Sequence, residues 1–171
     1  MGKYVVAVFG DIGGCTEALP ALKILNGRDF AVEMILSQGG KAESMLKATS
    51  FAVDASALSG NRFNGRIPDA IVVGTSATAI DAQIAWTDWG RRHGIPVIWV
   101  EDLYGAGERV AVRGCGGPNV MCVIDEAAAD IVRHGWPLAK IVVCGKPSFE
   151  RVGVLLAQQD AEGSWDAGNL Q

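Results

Sequence analysis

The residues most able to do chemistry lie in three short stretches, each placed after an apolar run. The first reads Gly10-Asp11-Ile12-Gly13-Gly14-Cys15-Thr16-Glu17. Its glycines, Gly13 and Gly14 above all, let a backbone approach a ligand closely, and the helix start that follows attracts anions. Asp11 and Glu17 are its two carboxylates, and either could act as general base on an acceptor hydroxyl. The competing account is that Asp11 shapes a turn and Glu17 favours a first helical turn. Proline prefers the first helical position, so Pro20 predicts a helix over Leu19–Asn26 and leaves Glu17 just outside it, facing the cleft.

The second stretch is Gly74-Thr75-Ser76-Ala77-Thr78. Thr75 and Ser76 can bond a ligand, and hydroxyl residues here can equally cap the next helix, with Thr78 three residues before Asp81. The third is Glu101-Asp102. Paired carboxylates at the end of a strand face the cleft, where they could bind a metal, hold a sugar hydroxyl or cap the turn. Arg109 and Arg113 beyond them could meet a phosphate, against a plain solvated loop. The expected site therefore comprises Asp11 and Glu17 as catalytic carboxylates, with Gly13, Gly14, Thr75, Ser76, Glu101, Asp102 and Arg113 on the ligand.

Other chemistries are disfavoured. Gly10, Gly13 and Gly14 give G-x-x-G-G rather than G-x-G-x-x-G, and the second strand ends Leu36-Ser37-Gln38 without an acid, which argues against a dinucleotide oxidoreductase. No P-loop lysine follows the glycines. Cys15, Cys115, Cys122 and Cys144 form no C-x-x-C pair, so no metal site and no cofactor are expected. Cys122 and Cys144 sit in apolar runs and read as small buried hydrophobes, whereas Cys15 and Cys115 lie in glycine-rich loops. Both histidines fall in the same punctuation, Arg92-His93-Gly94-Ile95-Pro96 and Arg133-His134-Gly135-Trp136-Pro137. Each reads as a helix C-terminus with a left-handed glycine, not as a ligand.

Positioning such loops requires strands. Lys3–Phe9, Phe30–Leu36, Ala70–Val73, Pro96–Val100, Val120–Ile124 and Ile141–Cys144 are apolar runs with little alternation, as strands buried on both faces of a parallel sheet require. Phe51–Val53 would add a short seventh. Helical patterns over Leu19–Asn26, Lys41–Ala48, Thr78–Arg92 and Asp125–Arg133 alternate with them, the last with Asp125 as its N-cap. This predicts a single α/β domain: a doubly wound, mostly parallel Rossmann-like sheet of six or seven strands flanked by helices. Ser56–Pro68 reads as a loop, and Leu103–Asn119 as a longer one holding an extended piece at Val110–Val112. The domain is expected over 1–159, with a flexible tail over 160–171.

The net charge of −4 carries no Lys/Arg block, so nucleic acid is not an expected partner. No apolar run approaches the ~20 residues that cross a bilayer. The short run after Met1-Gly2-Lys3 is bounded too closely by Gly10 and Asp11 to be a signal peptide, so a cytoplasmic location is expected.

The succession Pro68–Ser76, Gly94–Asp102, Pro118–Glu126 and Lys140–Pro147 resembles the N-terminal domain of GT-B fold glycosyltransferases and the related UDP-N-acetylglucosamine 2-epimerases. There, "PD-apolar-G", "GIP-apolar" and "V-G-x-P" mark successive strands. The Gly13-Gly14 turn with Glu17–Leu22 is similar to the family's glycine-rich first loop and helix. It is similar also to the loop of Kdo-type transferases that carries a carboxylate base, which would fall on Glu17. The resemblance runs to about Arg151. It implies an acceptor-binding lobe whose donor-binding partner lobe is not in this sequence, with Ser148–Gln159 as a linking helix. The implied partners are a second lobe or a second copy, with Trp86 and Trp89 available to an interface, and a sugar or sugar-phosphate ligand. A stand-alone nucleotide- or small-molecule-binding domain without catalysis is the other reading.

Overall fold

The computed structural model describes residues 2–36, 42, 52–54, 66–77, 79–111 and 113–149. Seven strands form one parallel sheet: β1 (Lys3–Phe9), β2 (Phe30–Leu36), β3 (Ala52–Asp54), β4 (Ala70–Gly74), β5 (Val97–Val100), β6 (Val120–Val123) and β7 (Lys140–Val143). Their order is β3-β2-β1-β4-β5-β6-β7. The chain therefore winds outward in both directions from the β1/β4 pair, where Val5 to Val8 align with Ala70 to Val73. Among the described residues, helices α1 (Ile12–Asn26), α2 (Ile80–Arg92), α3 (Ala106–Ala111) and α4 (Glu126–Gly135) connect β1 to β2, β4 to β5, β5 to β6 and β6 to β7.

The unalternating strands are buried on both sides. Along β1, Val5, Ala7 and Phe9 pack with Cys15, Ala18, Leu19 and Leu22 of α1. Tyr4, Val6 and Val8 point the other way, into a cluster with Trp86, Trp99, Val132 and Trp136. Trp86 is thus core, and Trp89 packs partly buried against the same cluster. Within that layer Trp99 donates its indole N–H to Thr87 Oγ1 at 2.9 Å, and its ring meets Trp136 edge-on. Burial decreases at the edge: in β7, Val142 and Val143 are exposed.

Several elements differ from the sequence expectation for physical reasons. Helix α1 begins at Ile12, seven residues before the expected start, and Pro20 lies inside it. Gly13 and Gly14 carry the chain into the helix because only a residue without Cβ fits there. A Cβ on Gly14 would stand 2.7–2.8 Å from the backbone of Gly74 and Thr75. Val110 and Ala111, expected in an extended piece over Val110–Val112, are instead the last two residues of helix α3, and Val112 lies outside the described residues. The two Arg-His-Gly-x-Pro segments also end differently. Gly94 takes the left-handed conformation at φ +68°, whereas Gly135 stays in α4 and Trp136 ends the helix. Both histidines bond the carbonyl four residues back through Nδ1: His93 to Trp89 and His134 to Asp130. The cysteine expectation reverses. Cys15 and Cys115 are buried, Cys122 is half-buried and Cys144 is exposed, because Cys144 follows the edge strand while Cys15 sits on the sheet-facing side of α1. All of the expected helix Lys41–Ala48 but Ala42, most of the loop Ser56–Pro68, the bulk of the linking helix Ser148–Gln159 and the tail 160–171 fall outside the described residues.

Candidate functional site at the carboxyl edge

In a doubly wound parallel sheet the strands' carboxyl ends open toward ligands, most of all where the strand order reverses. Here that point lies between β1 and β4, and the chemistry-bearing residues collect around it.

Asp11 leads from β1 into α1, and its carboxylate reaches across to the loop after β4. Ser76 Oγ donates to Oδ2 at 2.8 Å, and the Ala77 amide donates to the same oxygen at 2.7 Å. Ser76 Oγ in turn accepts from the Ala79 amide at 2.8 Å, next to the start of α2. Ser76 Oγ thus bonds the amide of Ala79 at the N-cap position, and no side chain caps the amides of α2 itself; Thr78 is outside the described residues. The dimple between these loops, lined by Gly10, Gly74, Ser76 and Gln83 among others, has no room for a water molecule (about 0 Å³).

Thr75, fully buried, donates Oγ1–H to Asp102 Oδ1 at 2.7 Å and lies 3.2 Å from the Asp102 amide that donates to it. Asp102 therefore folds back over the first turn of α1. A Cβ on Gly13 would stand 2.1 Å from Asp102 Oδ2. The close approach that the glycines permit is made by the protein's own groups: Asp102 at Gly13, and the β4 backbone at Gly14.

Glu101 does not share the cleft with Asp102. It is 3% exposed and turned inward toward α3, and neither carboxylate oxygen has a hydrogen-bond partner. Burial raises its pKa to about 7. The amides of Gly107, Ala106 and Gly105 pull it down without meeting its oxygens in bonding geometry, and the Asp102 charge adds to the rise. Sequence reasoning paired Glu101 with Asp102 because they are neighbours. Residues adjacent in an extended segment point to opposite sides, which is why the pair separates.

Glu17 also departs from its expected place. It lies inside α1, 5% exposed, rather than outside the helix facing the cleft. Ser148 donates to it twice, from Oγ at 2.5 Å to Oε1 and from the amide at 3.1 Å to Oε2. Lys146 Nζ approaches Oε1 to 3.9 Å and covers the Phe149 ring. Ser148 and Lys146 did not figure among the candidate site residues; their signal was the Gly145-Lys146-Pro147-Ser148 turn directly after the last strand. Arg113 stands apart, paired with Asp81 at 2.7 Å with both side chains exposed. Tyr104, half-exposed, donates to Asp125, which also caps α4 by accepting from the Ala128 amide at 2.9 Å.

The carboxyl edge carries Ile12, Leu103, Tyr104 and Phe149 as exposed apolar side chains around these polar groups. The roomier hollows lie at the opposite edge, beside the end of α2: one of about 490 Å³ at Trp89, Arg91 and Arg92, another of about 350 Å³ at Arg91, Asn119 and Trp136. Neither touches the residues above. Among the described residues no three His, Cys, Asp or Glu side chains converge as a metal site, and no helix is long and apolar enough to cross a membrane.

The sheet and its switch point define a Rossmann-like α/β domain. Its fold is similar to that of MurG from Acinetobacter baumannii, at 18% identity and a TM-score of 0.51, over 82% of this chain and 44% of that one. At the level of fold, this agrees with the resemblance to a GT-B N-terminal domain. A myo-inositol dehydrogenase from Corynebacterium glutamicum aligns at 17% identity over 92% of this chain and 42% of its own, with a TM-score of 0.39 that is too low to bear on the fold. The chain spans less than half the length of either structure. No protein-family model matches it, and no curated protein matches it in sequence.

Proposed function

We propose that this chain supplies the acceptor side of a glycosyltransferase- or epimerase-like cleft whose other wall comes from a second lobe. The observation that carries the reading is the carboxyl edge. It brings half-buried Asp11 and Asp102 to an open edge bordered by exposed Ile12, Leu103, Tyr104 and Phe149, each carboxylate held from beneath by a buried hydroxyl, Ser76 or Thr75. Polar groups on an apolar rim suit the hydroxyls and ring faces of a saccharide. Exposed apolar groups at one edge of the sheet also suit a partner surface.

Of the two acids, Asp11 is the better placed to act as base on an acceptor hydroxyl. It is half-buried beside the open rim, with Ser76 and the Ala77 amide fixing one carboxylate oxygen. Glu17 is engaged by Ser148 and acts as a positioning residue for the segment after β7.

The second reading, a binding module without catalysis, is favoured by the burial of that same Glu17. The two are separated by titrating the ¹⁵N-labelled chain with a panel of uncharged saccharides and with uridine, cytidine and guanosine diphosphate sugars. The acceptor-lobe reading expects saccharide-dependent shifts confined to residues 10–16, 74–77 and 101–105, and no saturable response to nucleotide sugars. Saturable binding of a nucleotide sugar by this chain alone favours the binding module. Absence of any rim response to saccharides removes the acceptor reading.

A further inference from the structure

Buried polar side-chain atoms are nearly always hydrogen-bonded, so each exception marks a place where the fold bears a desolvation penalty. Among the described residues the atoms without a partner are Gln83 Nε2, Trp136 Nε1 and both carboxylate oxygens of Glu101. The last three adjoin one short element, α3. Glu101 is buried at the end of β5, beside the Gly105, Ala106 and Gly107 amides, and bonds none of them. A Cβ on Gly107 would stand 3.4 Å from Trp136 Nε1, so the indole N–H lies against the same turn.

The element over these groups is lightly tied down. Helix α3 has six residues. Left-handed glycines flank it, Gly105 at φ +71° and Gly114 at φ +75°. A Cβ on Gly114 would meet nothing within 4 Å, and one on Gly105 only Glu108 Oε2, at 3.6 Å. Glycines so placed can change their backbone angles without a clash. The anchors are the Asp102 bond to Thr75, the Tyr104 bond to Asp125, and buried Ala106 and Gly107. No neighbouring charge favours an ionised Glu101. Asp102 opposes it, Glu108 of α3 is exposed, and Tyr104 and Asp125 are bonded to each other. Glu126 of α4 pairs with Arg133, and Asp81 of α2 with Arg113. From β6 the Cys122 carbonyl meets the Glu101 amide, and among the described residues no Lys or Arg pairs with the Glu101 carboxylate.

We propose that residues 103–111 form a pH-gated cover: α3 lies closed on Glu101 while that carboxyl is protonated, and turns outward about Gly105 and Gly114 when it ionises. An ionised carboxylate without a partner requires water, and moving six residues aside supplies it without unfolding the sheet. The sign follows from the proton. Burial raises the carboxyl to about 7 in the closed form, against 4.5 once it is solvated. The closed form therefore holds the proton more tightly, and opening grows as pH rises between these values and levels off above them. Leu103 and Tyr104 travel with the cover, so the apolar border of the carboxyl edge is complete below neutral pH and loosened above it. The inference goes beyond the acceptor reading and does not depend on which ligand that edge takes.

The test is amide hydrogen exchange of the full ¹⁵N-labelled chain, corrected for the intrinsic effect of pH on exchange. The α3 amides of the wild type are expected to open at least about tenfold more readily than those of β1 at neutral pH, as a local opening requires. Their opening constant should rise about tenfold per pH unit toward 7 and flatten above it. Glu101→Gln, neutral throughout, should abolish that rise; Glu101→Leu serves the same purpose if the first variant does not fold. Protection of α3 equal to that of β1 overturns the proposal. So does a wild-type α3 opening constant that ignores pH, or a rise that persists in a folded variant. If neither variant folds, the wild-type comparison of α3 with β1 decides.

Discussion

Glu17 in α1 and Ser148 beyond β7 stand 131 positions apart in the chain and share two hydrogen bonds across the carboxyl edge of the sheet. The carboxylate accepts from both the hydroxyl and the amide of Ser148, so one side chain fixes the course of the backbone as it leaves the last strand. Glu17→Ala leaves two donors without their acceptor and should lower stability by about 2 kcal/mol in denaturant unfolding. The loss should be local in its dynamics, with faster amide exchange at residues 145–149 than elsewhere. Glu17→Gln, which keeps an acceptor, should recover part of it.

The contact between α1 and β4 sets a sharper limit. Gly14→Ala places a methyl group 2.7–2.8 Å from the backbone of Gly74 and Thr75, which cannot step aside as a flexible side chain would. A cost of about 3 kcal/mol is expected from such overpacking. Gly94→Ala is the comparison: its Cβ meets nothing within 4 Å, and only the φ of +68° is unfavourable. About 1 kcal/mol is expected there. Equal costs in thermal unfolding would contradict the helix–strand contact.

Ser76→Ala removes the hydroxyl that donates to Asp11 and accepts from the Ala79 amide. A loss of about 1 kcal/mol follows from the two missing hydrogen bonds. The Asp11 carboxylate keeps the Ala77 amide, so the change in stability should stay modest while saccharide shifts at the rim weaken.

Glu101 predicts a pH dependence of definite sign. Its carboxyl titrates near 7 in the folded chain against 4.5 when unfolded, chiefly because it is buried. Between those values the folded state binds more protons than the unfolded one, so stability falls as pH rises through this window and levels off above it. Glu101→Gln should flatten that slope and be the more stable protein at pH 8, by on the order of 2 kcal/mol. Parallel slopes for wild type and variant between pH 4.5 and 7 would rule out Glu101 as the source.

The strands were legible because burial on both faces leaves an unmistakable apolar run. Lys3–Phe9 and Phe30–Leu36 match to the residue, and the others shift at their ends by one residue. The α1 boundary was not legible, since Gly13, Gly14 and Pro20 disfavour a helix locally and the fit against Gly74 overrides them. The three loops that gather at the site were identified by their place after strands, a matter of topology. The direction of each side chain was not. Whether Glu101 or Asp102 faces the rim, and that Glu17 finds Ser148, depends on contacts between segments far apart in the chain. The cysteines were misjudged for a related reason: an apolar run shows that a strand exists but not that β7 lies at the edge.

That edge position has a practical side. Of the four thiols, Cys144 alone is exposed, and it directly precedes the turn that Glu17 secures through Ser148. The unaltered protein therefore carries its own attachment point for a thiol-reactive fluorophore at the border of the candidate cleft. Burial of the sulfur raises its pKa, so alkaline buffer should speed the coupling. Emission from a dye fixed there would follow the arrival of a saccharide, or of a second lobe, without any introduced residue.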